Sequence, residues 1–224
     1  MRAMILAAGR GERLRPLTDR IPKPMVEVGG RPLVEHTVRR LVAAGFVDLV
    51  VNHAWLGHLI EAHLGDGRRL GARIVYSAEP PGALEVAGGI RNALPLLGRG
   101  PFVAINADVW CDHPLAPLRE VDVDLAHLVL VDNPEHVPRG DFALAADGRV
   151  DNDGPSRLTF AGIGVYRAAL FDGHPTGRLG LAPVLRAAAA CGRVRGEHHR
   201  GDWVDVGTVE RLAALDARLG ARGG

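Results

Sequence analysis

Short apolar runs that alternate with amphipathic stretches are the feature that most restricts what this chain can fold into. Arg2–Ala7, Asp48–Val51, Ala72–Tyr76, Phe102–Asn106, His127–Val131 and Thr159–Tyr166 read as strands, the first and fourth nearly continuous in apolar residues, as in strands covered on both faces. Leu33, Val34, Thr37, Val38, Leu41 and Val42 recur at helical spacing and stop near Gly45, where glycine can end a helix. Trp55 with Leu59, Ala62 and His63, then Gly88–Leu96, Leu181–Ala190 and Val209–Leu219, predict further helices. A short strand is expected at Trp203–Val206, and a turn at Asp151–Gly154. This order predicts an α/β fold: a three-layer α/β/α sandwich around a Rossmann-like mixed, mainly parallel sheet. No repeat and no Pro/Ser-rich linker divides the chain before its glycine-containing end, so residues 1–224 are expected to form a single domain.

Charge and cysteine content exclude several function classes. With 27 basic and 26 acidic residues, no broad field draws the chain to nucleic acid or to an anionic membrane. The apolar run Ala3–Ala8 meets Gly9 and Arg10 at once, too soon for a secretory leader or a membrane span. Cys111 and Cys191 stand 80 positions apart, which suits neither a disulfide framework nor a zinc cluster, and a cytoplasmic location is expected. His53, His58 and His63 recur every five residues and cannot share one helix face, which disfavours a zinc site there. Ser77 and Ser156 are the only serines and neither lies in a G-x-S-x-G elbow, so His198, His199, Cys111 and His113 are expected to be ordinary polar residues.

Any anion site must therefore be local, and the segment after the first strand offers one. Ala7, Ala8, Gly9 and Gly11 let backbone N–H groups approach a ligand, and Arg10, Arg13, Arg15, Arg20 and Lys23 against Glu12 and Asp19 leave an excess of three positive charges, a setting for a polyanion. The glycine spacing matches neither the dinucleotide fingerprint nor a P-loop. Lys23 is the only lysine beside 26 arginines. Its neighbours Pro22 and Pro24 restrict the local backbone and direct a compact point charge.

Two carboxylates complete the pattern. The apolar run Phe102–Asn106 leads through Ala107 to Asp108, which projects a hard oxygen ligand over the carboxyl edge of a sheet. Asp205 lies within Trp203-Val204-Asp205-Val206-Gly207-Thr208, a second fixed carboxylate. Magnesium takes one or two carboxylates plus substrate phosphates. Taken singly, each aspartate could equally cap a helix or satisfy a turn.

The span Leu6–Thr18 followed by Pro22-Lys23-Pro24 resembles the signature of the sugar-phosphate nucleotidyltransferase family, L-A-A-G-x-G-x-R-x-x-P-L-T and P-K-P. Asn106-Ala107-Asp108 and Trp203–Thr208 resemble that family's metal-binding segments. The resemblance implies the nucleotide-diphospho-sugar transferase fold and a magnesium-dependent condensation of a nucleoside triphosphate with a sugar 1-phosphate, releasing pyrophosphate. It places Gly9, Gly11 and Arg13 at the triphosphate, Lys23 at the reacting phosphates and Asp108 with Asp205 on the metal, with Arg10 and Arg15 as further candidates. Asn106, Asp141, Thr159 and Gly162 fall where the family lines the sugar phosphate. Glu85 and Gly88 fall where the family places a base-recognition turn, with Val86 and Ala87 departing from the common L-E-T-G-G-G pattern. Val51–Gly57 and Gly196–His198 resemble members that join UTP to N-acetylmuramic acid 1-phosphate in cell-wall recycling. A glucose- or mannose-1-phosphate enzyme using UTP, dTTP or GTP shares these motifs, as does a nucleotide-sugar sensor that binds without turnover. Oligomeric state stays open.

Overall fold

The computed structural model describes residues 1–80 and 82–220; Pro81 and the glycine-containing end, 221–224, lie outside the described residues. In chain order the strands are β1 (Arg2–Leu6), β2 (Glu27–Val28), β3 (Arg31–Pro32), β4 (Asp48–His53), β5 (Arg73–Ala78), β6 (Phe102–Asn106) and β7 (Val109–Cys111). They continue with β8 (Ala126–Val131), β9 (Phe142–Leu144), β10 (Val150–Asp151), β11 (Arg157–Tyr166), β12 (Val194–His199) and β13 (Trp203–Asp205). The α-helices are α1 (Leu33–Ala43), α2 (Gly57–Leu64), α3 (Glu85–Leu97), α4 (Leu181–Ala190) and α5 (Val209–Gly220).

Side chains alternate across the pleat, and β1 shows how that builds three layers. Ala3 and Ile5 enter one apolar cluster with Val34, Val38 and Leu41 of α1 and Ile60 and Leu64 of α2. Met4 enters the other, with Ala87 and Ile90 of α3 and Val184 and Leu185 of α4. The two cores sandwich one mixed sheet in which β6, β1, β4 and β5 run parallel and β11 lies antiparallel to β6. β1 pairs in parallel with both β4 and β6, so strand order reverses beside it and a crevice opens at the carboxyl ends. Loops leaving β1, β4 and β6 all reach this crevice.

Elements that the apolar pattern does not predict are short or polar. β12 reads Val-Arg-Gly-Glu-His-His and runs parallel to β8; its polar side chains find specific partners instead of a core. Glu197 accepts from His113 at 3.2 Å and lies 3.4 Å from His127, which holds its carboxyl down at about 2. The last predicted strand, β13, leaves the main sheet and pairs antiparallel with β7 in a separate ribbon. α2 begins at Gly57, so Trp55 precedes it, and α3 begins three residues before Gly88. Among the described residues no helix is long and apolar enough to cross a membrane.

Ile105 is fully buried on β6, between Ile5 and Ile163. Ile105→Ala is expected to destabilise the fold by about 2–5 kcal/mol, whereas Val75→Ala on the exposed side of β5 changes stability by less than about 0.5 kcal/mol; urea unfolding separates them. Because the Glu197 carboxyl is depressed from its ordinary 4.5 to about 2, its contribution is complete above pH 4.5 and is lost as pH falls toward 2. Glu197→Gln should remove that component, so the stability gap between variant and wild type narrows across this acid window.

Candidate active site

Where β1 ends, Ala7 donates its N–H to the Asn52 side chain on β4 at 2.8 Å, and Ala7, Ala8 and Gly9 form the floor of a cavity. Gly11 turns the loop back at φ +70°, a conformation favouring glycine; a methyl there would lie 2.9 Å from the Lys23 Cβ. Thr18 closes the loop by donating to the Gly11 carbonyl at 2.8 Å. Lys23 follows Pro22 in a single helical turn, almost fully buried, and its Nζ donates to Asp108 Oδ2 across the cavity. Arg10 and Arg15 both pair with Asp19, at 2.6 and 2.9 Å, holding its carboxyl below the usual range. Arg10 also stacks 4.0 Å over Trp55, whereas Arg13 turns toward a second cavity.

That second cavity adjoins the first through Asn106 and Asp108, which line both, and adds Asp141, Thr159, Gly162 and Asp205. Val206 N–H donates to the Asp108 carbonyl at 2.8 Å and Asp205 registers with Val109; the β7–β13 ribbon thus brings together two aspartates 97 positions apart in sequence. Asp205 Oδ1 accepts from Arg211 at 2.5 Å and lies 3.1 Å from His136. Two carboxylates on one cleft, each set against cationic side chains, form an all-oxygen donor set suited to a hard divalent cation. Gly162, at φ +75°, lets the Asn106 amide approach, since a methyl there would lie 2.7 Å from its Nδ2. Asp141 accepts from Phe160 N–H at 2.8 Å, and Thr159 donates to Asn133 at 2.9 Å, so both side chains also brace the wall they line.

The sequence-predicted residues divide accordingly. Ala7, Ala8, Gly9, Lys23, Glu85, Asn106 and Asp108 line the first cavity; Arg13, Asp141, Thr159, Gly162 and Asp205 line the second. Gly11 and Gly88 are not among the lining residues. Gly88 sits under the 177–179 loop, where a methyl would collide with the Gly177 carbonyl, and its N–H is taken by the Leu179 carbonyl at 3.0 Å. Its small size serves packing. Glu85 opens α3 at φ +60° and pairs with Arg178 at 2.9 Å; nearby Ala83 also has a positive φ, +51°. Val86 lines the cavity, while Ala87 is fully buried in the core against α3's own face of the sheet.

Two lining residues escaped the sequence reading as a pair. Asn52 Nδ2 donates to Glu79 Oε1 at 2.6 Å, and Glu79 Oε2 accepts the Leu84 N–H at 2.7 Å. The chain Ala7–Asn52–Glu79–Leu84 therefore ties the phosphate-type loop to the turn that opens α3. Gly89 makes room for it, since a methyl there would collide with Glu79 Oε1. The available signal was a polar residue close to the end of each of two neighbouring strands. The histidines set aside on spacing are engaged elsewhere: His53 with Glu61 at 2.6 Å and His63 with Glu35 at 2.7 Å. Cys111, buried with its thiol pushed up to about 11, lies beside Asp112 and His199.

The nucleotidyl transferase profile matches residues 2–140. This chain belongs to the nucleotidyl transferase family. The matched part of this nucleotidyl transferase includes the glycine loop, Lys23, Glu79 and Asp108. It is 51% identical to N-acetylmuramate alpha-1-phosphate uridylyltransferase of Neisseria meningitidis serogroup B, across 99% of both chains. It is 38% identical to the Caulobacter vibrioides protein of the same name, across 97% of this chain and 96% of that one. HddC from Yersinia pseudotuberculosis, solved with GMP-PN, superposes with a TM-score of 0.80 at 19% identity, covering 96% of this chain and 98% of that one; this likeness shows the shared fold.

Glu79→Ala leaves the Asn52 amide and the Leu84 N–H without their acceptor, which costs about 1–3 kcal/mol per buried donor. A lowered urea midpoint is expected, with Glu79→Gln recovering part of it through one retained acceptor. A wild-type midpoint in Glu79→Ala would mean that the tie between the loops contributes nothing.

Proposed function

We propose that this nucleotidyl transferase condenses UTP with N-acetylmuramic acid α-1-phosphate, giving the corresponding nucleotide-sugar and pyrophosphate, as a cytoplasmic enzyme of cell-wall recycling that uses magnesium. The observation that carries the substrate pair is the 51% identity to the Neisseria enzyme across 99% of both chains. The sheet with a core on each face supports treating residues 1–224 as one catalytic domain.

In this reading the nucleotide lies along Ala7, Ala8 and Gly9, with its base toward Glu85, Val86 and the turn before α3. Val86 offers that base an apolar contact where the common family pattern has a hydroxyl. The sugar phosphate enters beside Asn106, Asp141, Thr159 and Gly162. Its oxygen attacks the α-phosphorus, and the bond from that phosphorus to the β-phosphate oxygen breaks to release pyrophosphate. The attacking phosphate is already an anion, so no protein base is required; repulsion between phosphates is the barrier to be lowered. Lys23 and Arg13 supply fixed positive charge around the reacting groups. Asp108 and Asp205 would hold magnesium, which would supply further neutralisation of phosphate oxygens. The ion pair between Lys23 and Asp108 keeps the ammonium at the meeting point of the two cavities before substrates arrive, so little reorganisation is needed.

Pyrophosphate release with magnesium, UTP and N-acetylmuramic acid 1-phosphate tests the proposal. Lys23→Ala is expected to fold and to lose about two orders of magnitude or more in turnover. Turnover confined to glucose or mannose 1-phosphate would replace the substrate pair, and binding of nucleotide-sugar without pyrophosphate release would make the chain a sensor.

A further inference from the structure

Around Asp205 the structure gathers more positive charge than one carboxylate balances. Arg211, in the first turn of α5, reaches Asp205 Oδ1 at 2.5 Å, and His136 lies 3.1 Å from the same oxygen. Gly207 marks where a second guanidinium joins them. A methyl on Gly207 would collide with Arg211 Nη2 and would lie 3.0 Å from Arg13 Nη2 and 3.1 Å from Asp205 Oδ2. Two guanidinium groups therefore converge over one backbone point, Arg211 paired with Asp205 and Arg13 beside it. Arg211 and Asp205 each keep only 22% of their side-chain surface exposed, so solvent screens this excess incompletely.

These groups face a chamber lined by Glu135, His136, Trp203, Asp205, Arg211 and Arg218, in which Arg218 is itself paired with Asp202 at 3.4 Å. His136, Trp203 and Asp205 also line the cavity that holds the sugar-side residues, so the chamber opens off the sugar end, apart from the glycine loop. A neutral hexose 1-phosphate has one anionic group, its phosphate. Muramic acid differs from glucosamine by a lactyl ether that ends in a carboxylate on the ring, away from the anomeric phosphate.

We propose that Arg211, supported by His136, is a specificity-determining residue that holds an acidic substituent of the sugar ring, a carboxylate, in this side chamber. The inference rests on the substrate reading above and names the contact that separates a muramic acid from a neutral sugar. A planar guanidinium matches a carboxylate through two parallel hydrogen bonds. The substrate's carboxylate gives the two guanidinium groups an acceptor beside Asp205, with Glu135 of the same chamber opposing it. The sugar's own phosphate is the competing source of an anion, and two substrates sharing that phosphate distinguish the two.

The test compares kcat/KM for N-acetylmuramic acid 1-phosphate and N-acetylglucosamine 1-phosphate, at saturating UTP and magnesium, in the wild type, Arg211→Gln and His136→Asn. The wild type is expected to prefer the acidic sugar, and Arg211→Gln to reduce that preference by about tenfold or more, mainly through KM. His136→Asn, in an exposed loop, should shift the ratio the same way by less, and it keeps the test available if Arg211→Gln does not fold. Any disturbance of Asp205 acts on both sugars and cancels in the ratio. An equal loss on both sugars, or full preference retained in the variants, overturns the inference and leaves the substrate reading standing. Failure of the wild type to turn over N-acetylmuramic acid 1-phosphate overturns the substrate reading itself.

Discussion

Parallel pairing of β1 with β4 on one side and β6 on the other places three strand ends side by side at the carboxyl edge of the sheet. Helices cover both faces of these strands, so backbone hydrogen bonds must be satisfied within the sheet and side chains must alternate between two cores. The strand ends are where that obligation stops, and there the chain changes character. Leu6 gives way to small residues, His53 to the loop before α2, and Asn106 to Asp108. Asn52, one residue before the end of β4, accepts the Ala7 N–H and donates to Glu79. Site geometry is thus inherited from the sheet register.

Electrostatics then sort the cations of the first loop. Asp19 takes Arg10 and Arg15 in exposed ion pairs, which contribute little to stability but orient the loop rim. Lys23 is the cation that the fold buries at the centre, its stem packed beneath Gly11 and its ammonium on Asp108. A flexible compact charge suits this position, since a planar guanidinium demands room for its fork. Arginine serves instead at Arg13 and Arg211, where groups converge over Gly207. The economy of a single lysine thereby acquires a structural reason: one narrow buried slot calls for a point charge.

Much of this was legible from residues alone because the long buried strands and amphipathic helices carry strong periodicity. Phe102–Asn106 and Leu181–Ala190 have the bounds that the pattern predicts. β12 was not legible, since Arg195, Glu197, His198 and His199 make it polar and its place depends on pairing with β8. Within the site, the motifs single out Lys23, Asp108 and Asp205, but motifs say nothing of partners. The role of Glu79 in joining two loops, and that of Gly88 in admitting the 177–179 loop, arise from tertiary contacts between segments distant in sequence. The same limit concealed Arg211 and His136, which approach Asp205 from α5 and from the loop after β8.

The β7–β13 ribbon links these levels. It lies outside the main sheet, yet Val206 N–H bonds to the Asp108 carbonyl and the Trp203 indole N–H donates to the Ala161 carbonyl at 2.9 Å. The first contact fixes Asp205 relative to Asp108, in the turn between β6 and β7; the second fixes it relative to the bulged part of β11, where register shifts between Phe160 and Gly164. That irregularity turns Gly162 toward Asn106 and shapes the wall of the second cavity. Under the proposed function, specificity for the sugar can therefore change through the ribbon and the start of α5 while β1, β4 and β6 keep the nucleotide half intact. In that reading the nucleotide platform and the sugar wall are separately adjustable parts of one fold, since function resides in the site and not in the fold.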